Sequence, residues 1–132
     1  KNLVRGSVRY GRHKLHFDDL FLPRDVLKVV GFAENVEVGY GKYKKSDNGA
    51  SLSLQLLVMK YPDKDMAQKA MGRFKNIVGD KGQPADSGDV NTVRISDEDL
   101  WAAGAEESLM ALSFGTVDKD FGVKKVRQAL AE

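Results

Sequence analysis

The most constraining feature of this chain is a turn signal between two long runs of strand-forming residues. The runs cover residues 36–45 and 50–61, and Ser46-Asp47-Asn48-Gly49 separates them. Asn-Gly and Asp-Asn-Gly supply the positive φ angles that a tight hairpin turn requires. Because strands joined by so short a turn must be antiparallel, the sequence predicts a long antiparallel hairpin here.

The second strand of this hairpin carries apolar residues on both of its sides. Successive side chains of a strand point to opposite faces of a sheet. One face has Leu52, Leu54, Leu56 and Val58. The other face is mixed and has Ser51, Ser53, Gln55, Leu57 and Met59. We expect the first face to form core and the mixed face to stay uncovered.

A helix is predicted directly after the hairpin. Pro62 ends the strand, and Asp63 is a favourable N-cap residue for this helix. Apolar residues then recur at helical spacing, at Ala67, Ala70, Met71, Phe74, Ile77 and Val78. The same kind of spacing predicts a short helix over residues 24–30, which Gly31 ends, and a last helix over residues 118–131.

Two parts of the chain give a weaker strand signal. Residues 3–17 mix β-branched and aromatic residues with basic ones, which is typical of a strand pair with a turn near Gly11. Residues 79–89 are polar and contain glycine and proline, so we expect an irregular loop there. Residues 90–96 then form a further strand.

Residues 97–104 fit two different structures. Ser96 and Asp99 resemble the N-terminal box of a helix that Gly104 would end. Alternatively, residues 100–103 form a hairpin with residues 108–114. The hairpin is favoured because Met110, Leu112 and Phe114 alternate cleanly and need a neighbouring strand to pair with.

The elements follow the order strand, strand, helix three times. With 132 residues, of which 42% are hydrophobic and 30% charged, the chain has the size and composition of one globular domain, residues 1–132. Short helices must cover the apolar face of a sheet to bury their own. The predicted fold is therefore α+β: an antiparallel sheet with helices packed on one face.

Several kinds of chemistry find no support in the sequence. There is no cysteine, which excludes disulfides, thiolate nucleophiles and cysteine-bound metals within this chain. No apolar stretch reaches the roughly 18 residues of a membrane span. Gly39-Tyr40-Gly41 lacks the third glycine of a dinucleotide loop, and no Gly-x-Ser-x-Gly elbow occurs. We therefore predict no cofactor and no enzymatic activity.

The two histidines are the first residues to weigh as metal ligands. His13 and His16 lie close to Asp18 and Asp19. Their odd spacing sends them to opposite faces of a strand, which prevents shared coordination. No metal site is predicted.

Basic and aromatic residues alternate in two strands. The candidate binding residues are Tyr10, Arg12, Lys14, Tyr40, Lys42 and Tyr43. Such surfaces bind single-stranded nucleic acid or other polyanions through stacking and charge, but an ordinary solvent-facing strand has the same composition. The pI of 8.8 lies below the value of about 9 that nucleic-acid-binding domains usually exceed. Trp101 is expected to be a core or edge anchor.

The last hundred residues contain a recognisable succession of pieces. Met59-Lys60-Tyr61-Pro62-Asp63 runs into an alanine-rich helix with Phe74, and Ser96-Asp97-Glu98-Asp99-Leu100-Trp101 precedes a strand over residues 109–115 and a closing helix. This succession resembles small extracytoplasmic bacterial domains of unknown function. In those domains a Gly-Asp-Glu-Ala-x-Trp-like stretch precedes a hairpin, and helices cover one side of an antiparallel sheet. Here Ser96 stands in place of the glycine and Asp99 in place of the alanine.

The resemblance implies the folded part of an exported or lipid-anchored protein, located in the periplasm or at the cell surface. A start at Lys1 is compatible with such a mature or trimmed product. The first hypothesis is therefore a non-catalytic extracytoplasmic module that binds a protein, glycan or small ligand through the uncovered face of its sheet. The alternative is a polyanion- or nucleic-acid-binding module that uses the basic and aromatic strands.

Overall fold

A seven-stranded antiparallel sheet forms the centre of the described part of the chain. The structure is a computed structural model and describes residues 9–11, 28, 30–31, 36–47, 50–78, 83–87, 90–96, 99–116 and 119–131. The strands are β1 (Arg9–Gly11), β2 (Glu37–Asp47), β3 (Ala50–Lys60), β4 (Gln83–Ser87), β5 (Val90–Ser96), β6 (Asp99–Glu106) and β7 (Leu109–Thr116). Helix α1 (Lys64–Val78) follows β3, and helix α2 (Lys119–Ala131) follows β7. The strand order β1-β2-β3-β7-β6-β5-β4 places β3 beside β7, where two meanders meet.

The long hairpin predicted from the turn signal is confirmed. β2 and β3 pair along their whole length, from Glu37 opposite Lys60 to Asp47 opposite Ala50. The two residues between them, 48 and 49, lie outside the described residues. This hairpin supplies the longest continuous pairing of the sheet and positions the candidate site.

The favoured hairpin in the third segment is also confirmed. β6 pairs with β7, with Ala103 opposite Leu112 and Glu106 opposite Leu109. The turn lies at residues 107–108, where Glu107 has a positive φ of 54°. Gly104 continues the strand instead of starting the turn, because Ala105 after it still packs against the core.

The prediction of an irregular loop over residues 79–89 is wrong for the middle of that range, residues 83–87. Gln83–Ser87 forms β4 and pairs with β5, with Ala85 opposite Thr92. Hydrogen bonding to β5 outweighs a poor strand composition, and Pro84 is tolerated because β4 lies at the edge of the sheet. The third segment therefore contains four strands before its helix, where three were expected under the favoured interpretation of the sequence.

The two described helices pack on opposite faces of the sheet. α1 shares a core cluster with Leu57 and Met59 of β3, whereas α2 shares another with Leu54 and Leu56. Neighbouring residues of a strand point to opposite faces, so these are the α1 face and the α2 face. The α+β class, with helices against an antiparallel sheet, is confirmed, but the helices do not lie on one face as expected. The reason is that β3 is apolar on both sides, and each side needs a cover.

The α1 face holds the larger aromatic core. Trp101 and Phe114 form an edge-to-face pair with ring centroids 6.5 Å apart and an interplanar angle of 64°. Phe74 of α1 belongs to the same cluster and is fully buried. Trp101 is a core anchor, as its sequence context predicted.

Helix α1 begins as the sequence predicted. The Met66 backbone N–H donates a hydrogen bond to Asp63 Oδ1 at 2.9 Å, which is the N-cap geometry that satisfies a free donor of the first turn. At the end of β3, the Tyr61 backbone N–H donates to the Ser108 carbonyl at 2.9 Å. The start of α1 is thereby fixed to the β6–β7 turn.

Most of the first predicted segment lies outside the described residues, apart from β1 and a helical stretch at Lys28 and Val30. Gly31 comes next with a φ of 67°, the left-handed conformation of a helix end. The Tyr61 hydroxyl donates to the buried Val30 carbonyl at 2.6 Å, and Arg73 Nη2 donates to the same oxygen at 3.5 Å. This helix end is therefore tied to the α1 face.

Substituting Gly72→Ala is expected to raise the free energy of unfolding by about 0.5–1 kcal/mol, because alanine favours a helix interior more than glycine does. A Cβ added at Gly72 in α1 meets nothing within 4 Å. Urea denaturation of both proteins measures the difference. A loss of stability would contradict the described packing of α1.

Candidate functional site

The predicted binding residues do not share one surface. Tyr40 points to the α1 face, is only 6% exposed, and donates its hydroxyl hydrogen bond to Gln55 Oε1 at 2.8 Å. Tyr43 packs against the α2-face cluster, where Lys125 Nζ lies 4.7 Å from its ring centroid. The two tyrosine rings thus lie on opposite sides of the sheet, the Tyr40 ring is buried, and Lys125 lies over one side of the Tyr43 ring.

The structure gives less information on the other four predicted binding residues. Tyr10 lies in β1 opposite Gly39 of β2. Arg12 and Lys14 lie outside the described residues, as do both histidines. Lys42 is half-buried and lies opposite Gln55 in the sheet.

The mixed face of β3 is largely covered, which corrects the expectation that it stays bare. Leu57 and Met59 are fully buried in the cluster that contains α1. Ser53 and Gln55, further along the same side of β3, are half-buried. Helix α1 covers the apolar part of this face because only that part gains free energy on burial, and the polar part beyond it remains accessible.

We call this remaining surface the open end, and define it as Lys42, Lys44, Ser53 and Gln55. Lys42 lies opposite Gln55, and Lys44 lies opposite Ser53. Cross-strand neighbours of this kind have Cβ atoms about 5 Å apart, and the two pairs are separated by about 7 Å along the strands. Lys44 is exposed and the other three side chains are half-buried. The open end therefore carries two lysines, an amide and a hydroxyl, of which Lys44 is the exposed one and Lys42 already has a contact of its own.

The amide of Gln55 has a defined orientation. Its Oε1 accepts the Tyr40 hydroxyl, while its Nε2 lies beside Gly115 of β7, where an added Cβ would come within 3.3 Å. Gly115 has a φ of 79°, which disfavours any side chain at that position. Gln55 also lies opposite the core residue Phe114, so the open end begins where the aromatic core ends. A sequence pattern could not have indicated this amide orientation.

The α2 face contains a buried charge that the sequence did not lead us to expect. Lys125 is a charged residue of the predicted last helix, where we would expect solvent exposure, but it is only 9% exposed. Burial lowers the pKa of Lys125 below its ordinary value of 10.5, and the positive charge of Lys124 lowers it further. Its position four residues after Phe121 and four before Ala129, both packed in the α2-face cluster, is the signal that could have placed it there.

Within the described ranges, no group of three or more histidine, aspartate and glutamate side chains is arranged to hold a metal ion. The helices of the same ranges are too short or too polar to cross a membrane.

In the described residues, the protein is an α+β domain in which an antiparallel sheet lies between two helices. A small polar and basic surface, the open end, lies at one end of this sheet. Comparisons of the chain with protein-family models, curated proteins and solved structures give no match.

Proposed function

We propose that the protein is a non-catalytic binding module and that the open end binds an acidic segment of a partner protein. The observation that carries this proposal is the clustering of Lys42, Lys44, Ser53 and Gln55 on one accessible surface. Ammonium groups and amide N–H groups donate hydrogen bonds, and carboxylates accept them strongly. None of the four side chains is acidic, so an anionic partner meets no direct repulsion from them.

The alternative, a nucleic-acid-binding surface, has less support from the geometry. Binding of single strands draws much of its energy from bases stacked on exposed aromatic rings. Tyr40 is almost fully buried, and one side of the Tyr43 ring carries Lys125. The lysines can attract phosphates, but the Tyr40 and Tyr43 rings do not form one exposed surface on which successive bases could stack.

We also propose an extracytoplasmic location, in the periplasm or at the cell surface of a bacterium. The support is the resemblance of the last hundred residues to small extracytoplasmic bacterial domains of unknown function. The sequence upstream of Lys1 in the full-length gene product tests it. A signal peptide or a lipid-attachment cysteine there is expected, and a continuous cytoplasmic domain would contradict it.

The Lys44→Gln variant is expected to bind poly-L-glutamate about two- to fivefold more weakly than the unmodified chain at low salt, since one exposed charge contact contributes about 0.5–1 kcal/mol. Titration calorimetry at two salt concentrations measures the affinity, and the difference should shrink as salt screens the charges. Lys60→Gln is the matched control, because Lys60 is also an exposed strand lysine but lies on the α2 face of β3.

Two results would contradict the proposal. One is the absence of any binding of poly-L-glutamate at low salt. The other is an equal loss in Lys60→Gln and Lys44→Gln, which would indicate nonspecific attraction to a basic protein. Tighter binding of oligothymidylate than of poly-L-glutamate, with the same loss in Lys44→Gln, would favour the nucleic-acid alternative.

A further inference from the structure

We propose that the acidic partner of the open end is a second copy of this chain, which docks the turn between its strands β6 and β7 onto Lys44 of the first copy. The copies then associate head to tail. This inference rests on the proposed function, and it names the partner.

The end of the sheet opposite the open end carries an excess of exposed carboxylates. One row crosses strands β2, β3, β7 and β6 there and consists of Glu37, Lys60, Leu109 and Glu106. The start of α1 lies beside this row, because the Tyr61 backbone N–H donates a hydrogen bond to the Ser108 carbonyl. We call this surface the acidic end, and define it as Asp63, Asp65, Glu106 and Glu107, all of them exposed.

The positive charges described at the acidic end do not balance these four carboxylates. Lys60 is exposed, but it lies opposite the exposed Glu37, so the charges of this pair offset each other. Lys64 is exposed between the two aspartates. The β6–β7 turn therefore remains the most negative part of the acidic end, with the carboxylates of Glu106 and Glu107.

Glu107 has a backbone conformation that disfavours its own side chain. Its φ of 54° lies in the left-handed region, where glycine is favoured because it has no Cβ to clash with the backbone. Glu107 is exposed, so core packing does not offset this cost. A strained residue that lowers stability and adds nothing to the core indicates a role in binding.

The acidic end and the open end of one copy cannot meet. Ser53 lies seven residues before Lys60 on β3, a separation of about 23 Å at the usual rise of a strand. Salt screens exposed charges over about 8–10 Å, so the two surfaces are available to different copies. Because they lie at opposite ends of one sheet, each added copy leaves one surface of each kind exposed.

Lys44 is the group of the open end that makes the contact. It is exposed and lies on β2 opposite Ser53, and an ammonium donates strong hydrogen bonds to a carboxylate. Asp99 begins β6 at the same end of the sheet, but β6 is three strands away from β2, about 14 Å. The net charge of the whole chain is only +2, so two copies repel each other weakly.

Sedimentation equilibrium of the unmodified chain tests the association directly. At low salt, the weight-average mass should rise above the 14.6 kDa of one chain as the protein concentration approaches about 1 mM, the range of weak contacts of small area. It should return toward 14.6 kDa at high salt. A mass that stays at 14.6 kDa at all concentrations would overturn the inference.

Two charge reversals test which surfaces meet. Lys44→Glu and Glu107→Lys each place like charges at the contact, and we expect each alone to lower the association constant at least about tenfold. An equimolar mixture of the two variants brings opposite charges together again, so association should return. Lys75→Glu is the matched control, because Lys75 is an exposed lysine of α1 outside both surfaces. A mixture that stays dissociated, or an equal loss in Lys75→Glu, would overturn the head-to-tail contact.

Glu107→Gly gives a readout that a purely structural role of the turn would not give. Glycine relieves the backbone strain and removes the carboxylate. The urea midpoint should therefore rise, while the association constant falls about two- to fivefold. Unchanged association in Glu107→Gly would mean that the turn does not dock.

The outcomes distinguish this inference from the proposed function. If the chain binds poly-L-glutamate and Lys44→Gln weakens this binding, but the chain stays a monomer, the second copy is not the partner and the binding module stands. If the chain does not bind poly-L-glutamate, the proposed function itself fails. Self-association that Lys44→Glu leaves unchanged would place the contact on another surface and overturn the inference.

Discussion

Replacing Phe74 with alanine is expected to lower the free energy of unfolding by about 3–5 kcal/mol, the usual range for a fully buried phenylalanine. Phe74 is fully buried and is among the largest side chains of the α1-face core. The substitution removes its ring from the cluster that contains Trp101 and Phe114. Because domains of this size have a total stability of about 5–15 kcal/mol, this loss is a large share of the total and should lower the urea midpoint clearly.

The measurement is a urea titration followed by far-UV circular dichroism, with Trp101 fluorescence as a second probe of the same core. Lys75→Ala is the matched control, because Lys75 is the exposed neighbour on α1 and surface changes usually stay within about 0.5 kcal/mol. A loss below about 1 kcal/mol for Phe74→Ala, with an unchanged slope against urea, would show that α1 does not pack on the sheet as described.

The parts of the fold that the sequence predicted are governed by local chemistry. The β2–β3 hairpin is encoded by a turn signal between two strand-forming runs, and α1 by an N-cap at Asp63 and apolar residues at helical spacing. Each of these needs only residues close together in the chain. The positions of the β2–β3 hairpin and of α1 could therefore be predicted without knowing the order of the strands in the sheet.

The placement of α2 depended on contacts between distant parts of the chain. The alternation along β3 shows that both sides are apolar, but it does not say which helix covers which side. On β6 and β7 the α2-face cluster includes the small residues Ala102 and Ala111, which leave room for a helix to approach closely. Strand β4 was missed for a similar reason, since its pairing with β5 outweighs the poor strand propensity of its own residues.

The candidate site was predicted only in part. Lys42 belongs to the open end, and Ser53 and Gln55 are the polar members of the mixed face of β3 that stay accessible. Tyr40 and Tyr43 are three residues apart, and this odd spacing on a strand already places them on opposite faces. The hydrogen bond between Tyr40 and Gln55 joins residues of two different strands and sets the amide orientation, which no spacing along the chain encodes.

Lys125→Met is expected to raise the free energy of unfolding at pH 7 by up to about 1 kcal/mol, since a partly desolvated charge on a buried stem is replaced by an apolar side chain of similar length. Lys125 is 9% exposed and its ammonium lies 4.7 Å from the Tyr43 ring centroid. The attraction to the ring offsets part of the cost of burial, but burial is the main cause of the lowered pKa, so the cost dominates. Methionine retains the packing of the stem and places its sulfur near the ring.

The pH dependence gives this prediction a second, independent test. Because the pKa of Lys125 is lower in the folded chain than its ordinary value of 10.5, the unfolded chain binds more protons between the two values. The stability of the unmodified chain should therefore rise with pH through this window, relative to Lys125→Met, and the advantage of the variant should shrink as pH approaches 10.5. Lys69→Met, at an exposed site on α1, is the control and should show neither effect. A destabilised Lys125→Met chain, together with an unmodified chain whose stability falls relative to the variant as pH rises through 10.5, would mean that the contact with Tyr43 outweighs the cost of burial.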